Sequence, residues 1–379
     1  MMDVAIVGGG LAGMALAWEL NARGVSVTVF DEPRDVRRAS AVPVAMAHLF
    51  AGRSFKPSDK LLDSFWTTKE VLERWRALAP QSVRPQPMWR PLLKDDRSSA
   101  QLLESWERER AGLEAVGVVV ERVGPEQTQQ ALPWLVPSLG ALRYGPAWSV
   151  SVDALLDAVR AELMTQGTNF ISERVDGIEA TGKGVTISTT AGRRTQAARV
   201  ALCPGAALGD WFPNLQGAAF GGELLVLEDQ PQQGPTALVS AAGGYVSIEP
   251  GVWACGATRW PVEQWSQRTD AQAAQDLTAR ARRLIPSWPH HDKAKARIWR
   301  GARWLFMGDR LPVVGQIPHS PRVYVLGALG SRGLLWGPWS ARCLAALICD
   351  NTPIPQRISL ERSGKTPTRW LFGAALMAL

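Results

Sequence analysis

Two glycine turns, one acidic strand end and a few isolated cations are the residues of this 379-residue chain whose types and spacing could do chemistry. Gly8-Gly9-Gly10-Leu11-Ala12-Gly13 satisfies GxGxxG, and Asp31 ends the next apolar strand 18 positions after Gly13. In this pattern the first glycine permits a tight turn, the second lets backbone approach a pyrophosphate, and the third lets helix and strand pack closely. The helix that opens there presents free N–H groups and partial positive charge to phosphates. Asp31 has the oxygens to accept from both ribose hydroxyls. A dinucleotide is therefore expected at Gly8, Gly10, Leu11, Ala12, Gly13 and Asp31. The second turn, Gly327-Ala328-Leu329-Gly330-Ser331-Arg332-Gly333-Leu334, lies more than three hundred residues away and again precedes a helix. A NAD-only dehydrogenase normally devotes one contiguous N-terminal domain to its cofactor. The split favours FAD, held along its length by both ends of the chain.

Other chemistry is poorly represented. The four cysteines show no CxxC spacing, and the four histidines avoid ligand spacing, Pro289-His290-His291-Asp292 being their one cluster. No metal is expected. His48 reads as a packed histidine and Cys203 as an inert buried thiol. Seventeen tryptophans could include some that stack on nucleobases, but Trp66, Trp75 and Trp106 fall on helical apolar stripes and read as core. From His290 onward there are 13 Lys+Arg against 4 Asp+Glu, a net of +9; the whole chain is +7, so residues 1–289 sum to −2. Such a region invites a polyanion such as RNA, an acidic small substrate, or a cofactor's phosphates.

The elements that must position these groups follow from periodicity and punctuation. Ala5-Ile6-Val7 and Val25 to Phe30 read as strands flanking a helix over Leu11 to Arg23, which Gly24 closes. Helices are predicted over 58–79, 98–115, 152–164 (capped by Ser151), 270–284 and 337–349, and strands near 177–180, 185–188, 199–203 and 323–326. Ser82 to Leu93 reads as a loop or edge segment, and 222–260 as a sheet of alternating strands and turns. With 46% hydrophobic and 20% charged residues the chain is not disordered, and 35 Gly and 26 Pro without period exclude a collagen-like chain. The longest apolar stretch, Val323 to Cys349, is broken by Arg332 and Arg342, and the tail Trp370 to Leu379 is short, so no membrane span is expected. The first strand begins almost at the initiator, which leaves no secretory signal; a soluble cytoplasmic α/β protein is the expectation.

Gly8 to Asp31, Ala201-Leu202-Cys203-Pro204-Gly205, and Arg303 through Gly315 together resemble the D-amino-acid-oxidase-like flavoproteins, which include glycine oxidase and sarcosine oxidase. Gly330-Ser331-Arg332-Gly333-Leu334, Asn351-Thr352-Pro353-Ile354-Pro355 and Gly243-Gly244-Tyr245 leading to Gly256-Ala257-Thr258 are similar to the FAD domain of the bifunctional enzyme that makes 5-methylaminomethyl-uridine at the tRNA wobble position. The resemblance implies a Rossmann-like FAD-binding domain (1–57, 140–206 and 290–379) with an inserted antiparallel-sheet substrate-binding domain (58–139 and 207–289). It implies further that Ser40 lies near the phosphates, that Val175 and Gly205 belong to the cofactor site, and that Gly330, Ser331, Arg332, Gly333 and Leu334 line the flavin ring. Arg303 matches the arginine that pairs with a substrate carboxylate, and Tyr245 a tyrosine that hydrogen-bonds it. Ala39 to Ala45 lacks the polar residues and glycines usual in that loop, and Gly221-Gly222-Glu223 stands where Arg-Gly-Gln is common. With the fingerprint at residue 8, no fused methyltransferase is expected upstream.

Three activities follow as alternatives. One is oxidative removal of the carboxymethyl group from carboxymethylaminomethyl-uridine in tRNA, releasing glyoxylate, with molecular oxygen as electron acceptor. Another is the same oxidation of a free small amino acid such as glycine, sarcosine or a D-amino acid. The last is a flavin-binding module without catalysis.

Overall fold

The computed structural model describes residues 2–32, 38–50, 54–56, 59–94, 96–230, 235–241, 244–290 and 295–363. The apolar tail after Trp370, Gly243 and the His291-Asp292 pair lie outside the described residues. Five strands run parallel in the order β9 (Asn169–Ile171), β2 (Val27–Phe30), β1 (Met2–Val7), β12 (Arg194–Leu202) and β20 (Ser320–Gly327). Val4, Ala5 and Ile6 are fully buried, as strands covered on both faces require. The antiparallel strands β10 (Val175–Thr181) and β11 (Gly184–Thr189) extend β12 along its first half, and β19 (Val313–Ile317) pairs β20.

Helices α1 (Leu11–Asn21), α2 (Asp59–Leu78), α5 (Val152–Thr165) and α9 (Gly333–Asp350) share one core built on Leu16, Leu20, Phe65, Trp75, Val159 and Leu344. α1 ends as predicted: Gly24 takes φ +73 and its N–H donates to Asn21 O at 2.8 Å. Two local expectations are corrected. Ser151 occupies the N-cap position of α5, but its side chain makes no capping hydrogen bond. α9 starts at Gly333 rather than 337 and runs through Pro338. A helical proline frees the carbonyl four residues earlier, and here the buried Thr68 hydroxyl on α2 donates to Leu334 O and Leu335 O, 3.0 Å from each. The freed carbonyl has a partner, so the helix continues.

A second, mostly antiparallel sheet of nine strands runs β17 (Trp260–Pro261), β13 (Gly217–Gln230), β16 (Gly251–Gly256), β15 (Gly244–Glu249), β14 (Ala237–Ala241), β5 (Met88–Pro91), β7 (Ala141–Gly145), β6 (Val119–Val123), with β18 (Lys295–Phe306) paired along β13. Its period-2 alternation splits the side chains between two faces. Leu225, Leu227, Val246, Trp253 and Cys255 pack against Leu277 and Ala281 of α8 (Asp270–Arg282). Leu224, Val226 and Ala254 on the opposite face pack against Val44. A small sheet of β3 (Ala45–His48), β8 (Ala147–Val150) and β4 (Val83–Pro85), with α3 (Arg97–Ala115), α4 (Pro125–Ala131), α6 (Leu208–Trp211) and α7 (Val262–Trp265), completes the described elements. Three elements cross the division drawn from sequence: β7 and β18 join the second sheet, and α2 packs on α5 and α9.

Candidate cofactor and substrate site

Gly8 takes φ +103 and donates to Phe30 O at 2.8 Å, and a Cβ there would lie 2.3 Å from Cys203 O. A Cβ on Gly13 would lie 1.9 Å from Gly8 O, so turn and helix touch through bare backbone. Gly10 is the N-cap of α1 without a side-chain cap, Ala12 lies in its first turn, and Leu11 N–H donates to Ser40 Oγ at 2.9 Å. Ser40 therefore stands at the helix N-terminus. Asp31 is buried at the end of β2, accepts from Gly9 N–H at 2.7 Å, and forms an ion pair with Arg38. Nothing in the spacing singled out Arg38; only the fold returns it to Asp31. Gly205, φ +60, turns the chain just past β12, and Val175 packs in one cluster with Val7 and Phe30. All these residues gather at the carboxyl edge of the parallel sheet, where β1 lies between β2 and β12 and ligands bind in such folds.

The second turn arrives at the same place. Gly330, φ +58, opens a single 3-10 turn through Ser331 and Arg332, and Gly333 begins α9. Cβ atoms on Gly333 and Gly337 would sit 3.6 and 3.3 Å from the Leu11 side chain, and Leu334 is buried close by. The two glycine turns, three hundred residues apart in sequence, meet across Leu11. The 39–41 turn docks on the second sheet: Arg38 bridges Ala302, and a Cβ on Gly301 would lie 3.1 Å from Ala39 Cα.

Arg303 and Tyr245 share one face of that sheet. Tyr245 pairs with Gly256, Gly256 with Leu224 and Leu224 with Trp299, and Arg303 follows Trp299 by an even step on β18. Glycines make the room: a Cβ on Gly222 would meet Arg303 Nη1 at 2.6 Å, and one on Gly256 would meet the Tyr245 hydroxyl at 3.0 Å. Arg303 Nε donates to Ser331 Oγ at 2.7 Å, which ties the arginine to the second turn. Burial first, and the Arg259 charge second, lower the Arg303 pKa, while Tyr245 acts in the opposite direction. Burial likewise raises the Tyr245 phenol well above its usual value. Glu223 does not enter this site. It is fully buried and accepts from Thr258 Oγ1 at 2.9 Å and from Arg268 Nε at 3.1 Å.

His48 lies on β3 with its Nδ1 2.9 Å from the Tyr144 hydroxyl. Burial, then the Arg90 and Arg332 charges, lower its pKa to about 3. The imidazole is thus neutral in the folded protein at pH values where the unfolded chain binds a proton. Stability attributable to this group is complete above about pH 6.5 and falls as pH drops toward 3. His48→Gln is expected to flatten the pH dependence of urea midpoints across that window; midpoints that track the parent at every pH would refute the assignment.

Six of the ten described cations of the basic C-terminal region pair with carboxylates of the chain itself. Lys295 pairs with Asp229, Arg297 with Glu228, Arg300 with Asp270, Arg342 with Glu19 and Glu70, Arg357 with Asp63, and Arg362 with Asp309. Arg303 and Arg332 have no carboxylate partner among the described residues, and burial lowers the pKa of both. Lys293, Lys365 and Arg369 lie outside those residues. Also among them, no helix is long and apolar enough to cross a membrane, and no group of three or more His, Cys, Asp or Glu is placed to hold a metal.

A glycine-bordered dinucleotide cradle on a parallel sheet, faced by a second sheet that carries a desolvated arginine, defines a two-layer flavoprotein oxidoreductase. The chain matches the FAD dependent oxidoreductase (DAO) family over residues 3–347 and belongs to that family. It is 26% identical over 357 residues to the tRNA 5-methylaminomethyl-2-thiouridine biosynthesis bifunctional protein of Maricaulis maris, with 92% of this chain and 52% of the relative covered. The protein of the same name from Thiobacillus denitrificans is 26% identical, with 97% and 59% covered. The chain thus spans between half and three fifths of those relatives' length. Among solved structures, glycine oxidase from Geobacillus kaustophilus superposes with TM-score 0.79 at 22% identity, covering 94% of this chain and 98% of that one. Iminodiacetate oxidase from Chelativorans sp. BNC1 superposes with TM-score 0.77 at 17% identity, covering 94% and 98%. These likenesses establish the fold.

The residues present fit FAD. A Cβ at Gly8, Gly9 or Gly13 would lie 2.3, 2.7 or 1.9 Å from Cys203 O, Asp31 Cγ or Gly8 O respectively, so only glycine keeps the turn this close to the strand ends, and the buried Asp31 stands at the end of β2. Gly8, Gly10, Leu11, Ala12, Gly13, Asp31 and Ser40 are the residues that could hold its adenosine and pyrophosphate, with Val175 and Gly205 at the strand ends. Gly330 to Leu334 could line its ring, since their turn meets the first across Leu11.

Proposed function

We propose that this chain is a FAD-dependent amine oxidoreductase that removes the carboxymethyl group from carboxymethylaminomethyl-uridine at the tRNA wobble position and releases glyoxylate. The observation that carries the reading is Arg303: a desolvated guanidinium with no carboxylate partner among the described residues, bound through Nε to Ser331 of the second glycine turn and sharing a sheet face with Tyr245. Its remaining N–H donors suit a planar carboxylate taken bidentately. Tyr245 supplies a protonated hydroxyl to the same group, since burial holds its proton on. Bound FAD supplies the two-electron acceptor for the C–H bond beside nitrogen. The protein's part is positioning: Arg303 and Tyr245 fix the acid end so that the CH₂ between carboxylate and neutral amine faces the cofactor. The imine so formed takes up water and separates into glyoxylate and the shortened amine. No side-chain base is needed, which suits a buried His48 that stays neutral.

The small-amino-acid reading has one specific observation behind it: carboxylates of the chain itself pair with six of the ten described C-terminal cations that would attract RNA. Anaerobic bleaching of the purified yellow protein separates the two. Carboxymethylaminomethyl-tRNA should bleach it at low concentration, with glyoxylate as product. Rapid bleaching by glycine or sarcosine, with tRNA inert, would remove the tRNA reading.

A further inference from the structure

Phe220 of β13 is the direct cross-strand partner of Arg303 on β18 and, along its other edge, of Pro261 on β17. Two residues before Pro261, Arg259 lays its guanidinium 4.3 Å from the centroid of the Phe220 ring. Arg303 and Arg259 thus flank one aromatic side chain, the first largely desolvated and the second exposed. The arginines around them are engaged elsewhere: Arg268 with Glu223 and Asp276, Arg300 with Asp270, and Arg280 with Ala257 O at 3.2 Å. Arg259 and Arg303 have no carboxylate partner among the described residues, and the Arg259 charge is among the causes that lower the Arg303 pKa. The two like charges repel. The Phe220 face restrains Arg259 where a free surface arginine would swing into solvent.

We propose that Arg259 and Phe220 form an outer anion subsite beside Arg303, which takes a second negatively charged oxygen group borne by the amine substrate. The inference rests on the reading of Arg303 as the inner carboxylate site. An inner carboxylate then binds Arg303, and the outer group, at the exposed mouth, accepts from the Arg259 fork. That group is either the second carboxylate of a dicarboxylate amine or a phosphodiester of an RNA strand.

The test compares FAD-loaded wild type, Arg259→Gln and Arg259→Lys on sarcosine, which has one carboxylate, iminodiacetate, which has two, and carboxymethylaminomethyl-tRNA. The expected result is a drop of about tenfold in the kcat/KM of one doubly charged substrate relative to sarcosine in Arg259→Gln. Most of it should return in Arg259→Lys. A drop confined to iminodiacetate assigns a carboxylate. A drop confined to tRNA, with a salt slope shallower by about one, assigns a phosphodiester. Tryptophan-fluorescence titrations of iminodiacetate and an unmodified anticodon-loop RNA give the same comparison without turnover. If Arg259→Gln weakens that binding while no amine is oxidised, the subsite stands and the amine-oxidoreductase reading falls. If it changes all three substrates equally, or changes neither turnover nor binding, the subsite is refuted.

Discussion

Gly13→Val is expected to yield a folded chain that purifies without yellow colour. The β-carbon would sit 1.9 Å from Gly8 O and 3.1 Å from Ile6 Cγ2, and neither neighbour is a flexible side-chain end. Gly8 O belongs to the turn that must admit the pyrophosphate, so relief of the clash moves the backbone that makes the site. Overpacking of this kind costs about 1–3 kcal/mol and is drawn here from the cradle geometry. A loss of about fivefold to about a hundredfold in FAD retention follows, since each 1.4 kcal/mol is a factor of ten. Gly112→Ala is the control, because a Cβ there meets nothing within 4 Å and the change favours helix. Flavin absorbance per mole of protein, read beside thermal unfolding of both variants, decides the matter. Full colour in Gly13→Val would show that the close approach of turn and helix does not make the site.

Arg303→Ala carries the second large effect, and it is the converse: colour kept, substrate lost. Removal of a desolvated guanidinium from a carboxylate costs roughly 2–5 kcal/mol, which places the fall in kcat/KM between about thirtyfold and several thousandfold. The loss should appear mainly as a raised KM, because the contact is made in the ground state as well as in the transition state. Arg303→Lys should recover part of it, as a point charge in place of a fork. The Ser331 contact offers a rival outcome. Were Arg303 chiefly a strut for the second turn, Arg303→Ala would shed FAD and leave the KM of the remaining holoenzyme unchanged.

The fingerprint was readable because each of its parts has a local cause: a strand, three backbone-limited glycines, a helix and an acidic strand end. Helix ends were less so. Pro338 has the look of a helix start because its missing N–H is harmless only there; the Thr68 hydroxyl that satisfies the freed carbonyl comes from a helix more than 250 residues away, and no window on the sequence contains it. Arg303 and Tyr245 follow from the family resemblance, and the structure adds what the motif does not hold: Gly222 and Gly256 vacate the volume those two side chains occupy. The net positive charge after residue 290 suggested an open basic face. Its partners Asp63, Glu70, Glu228 and Asp270 all lie earlier in the chain, so a local count could not register the pairing. Arg38 and Arg259 gave no periodic or spacing signal at all, since Arg38 acts through Asp31 and Arg259 through Phe220, contacts that only the folded chain makes.

The seating of Gly333 and Gly337 on Leu11 sets a timetable for biogenesis. While the polypeptide leaves the ribosome, the fingerprint emerges more than three hundred residues before α9, so a nascent chain carries half a cradle throughout that interval. The prosthetic group is therefore captured only after α9 has emerged, and chains truncated ahead of α9 expose the apolar flank of α1 to quality-control proteases instead of acquiring colour.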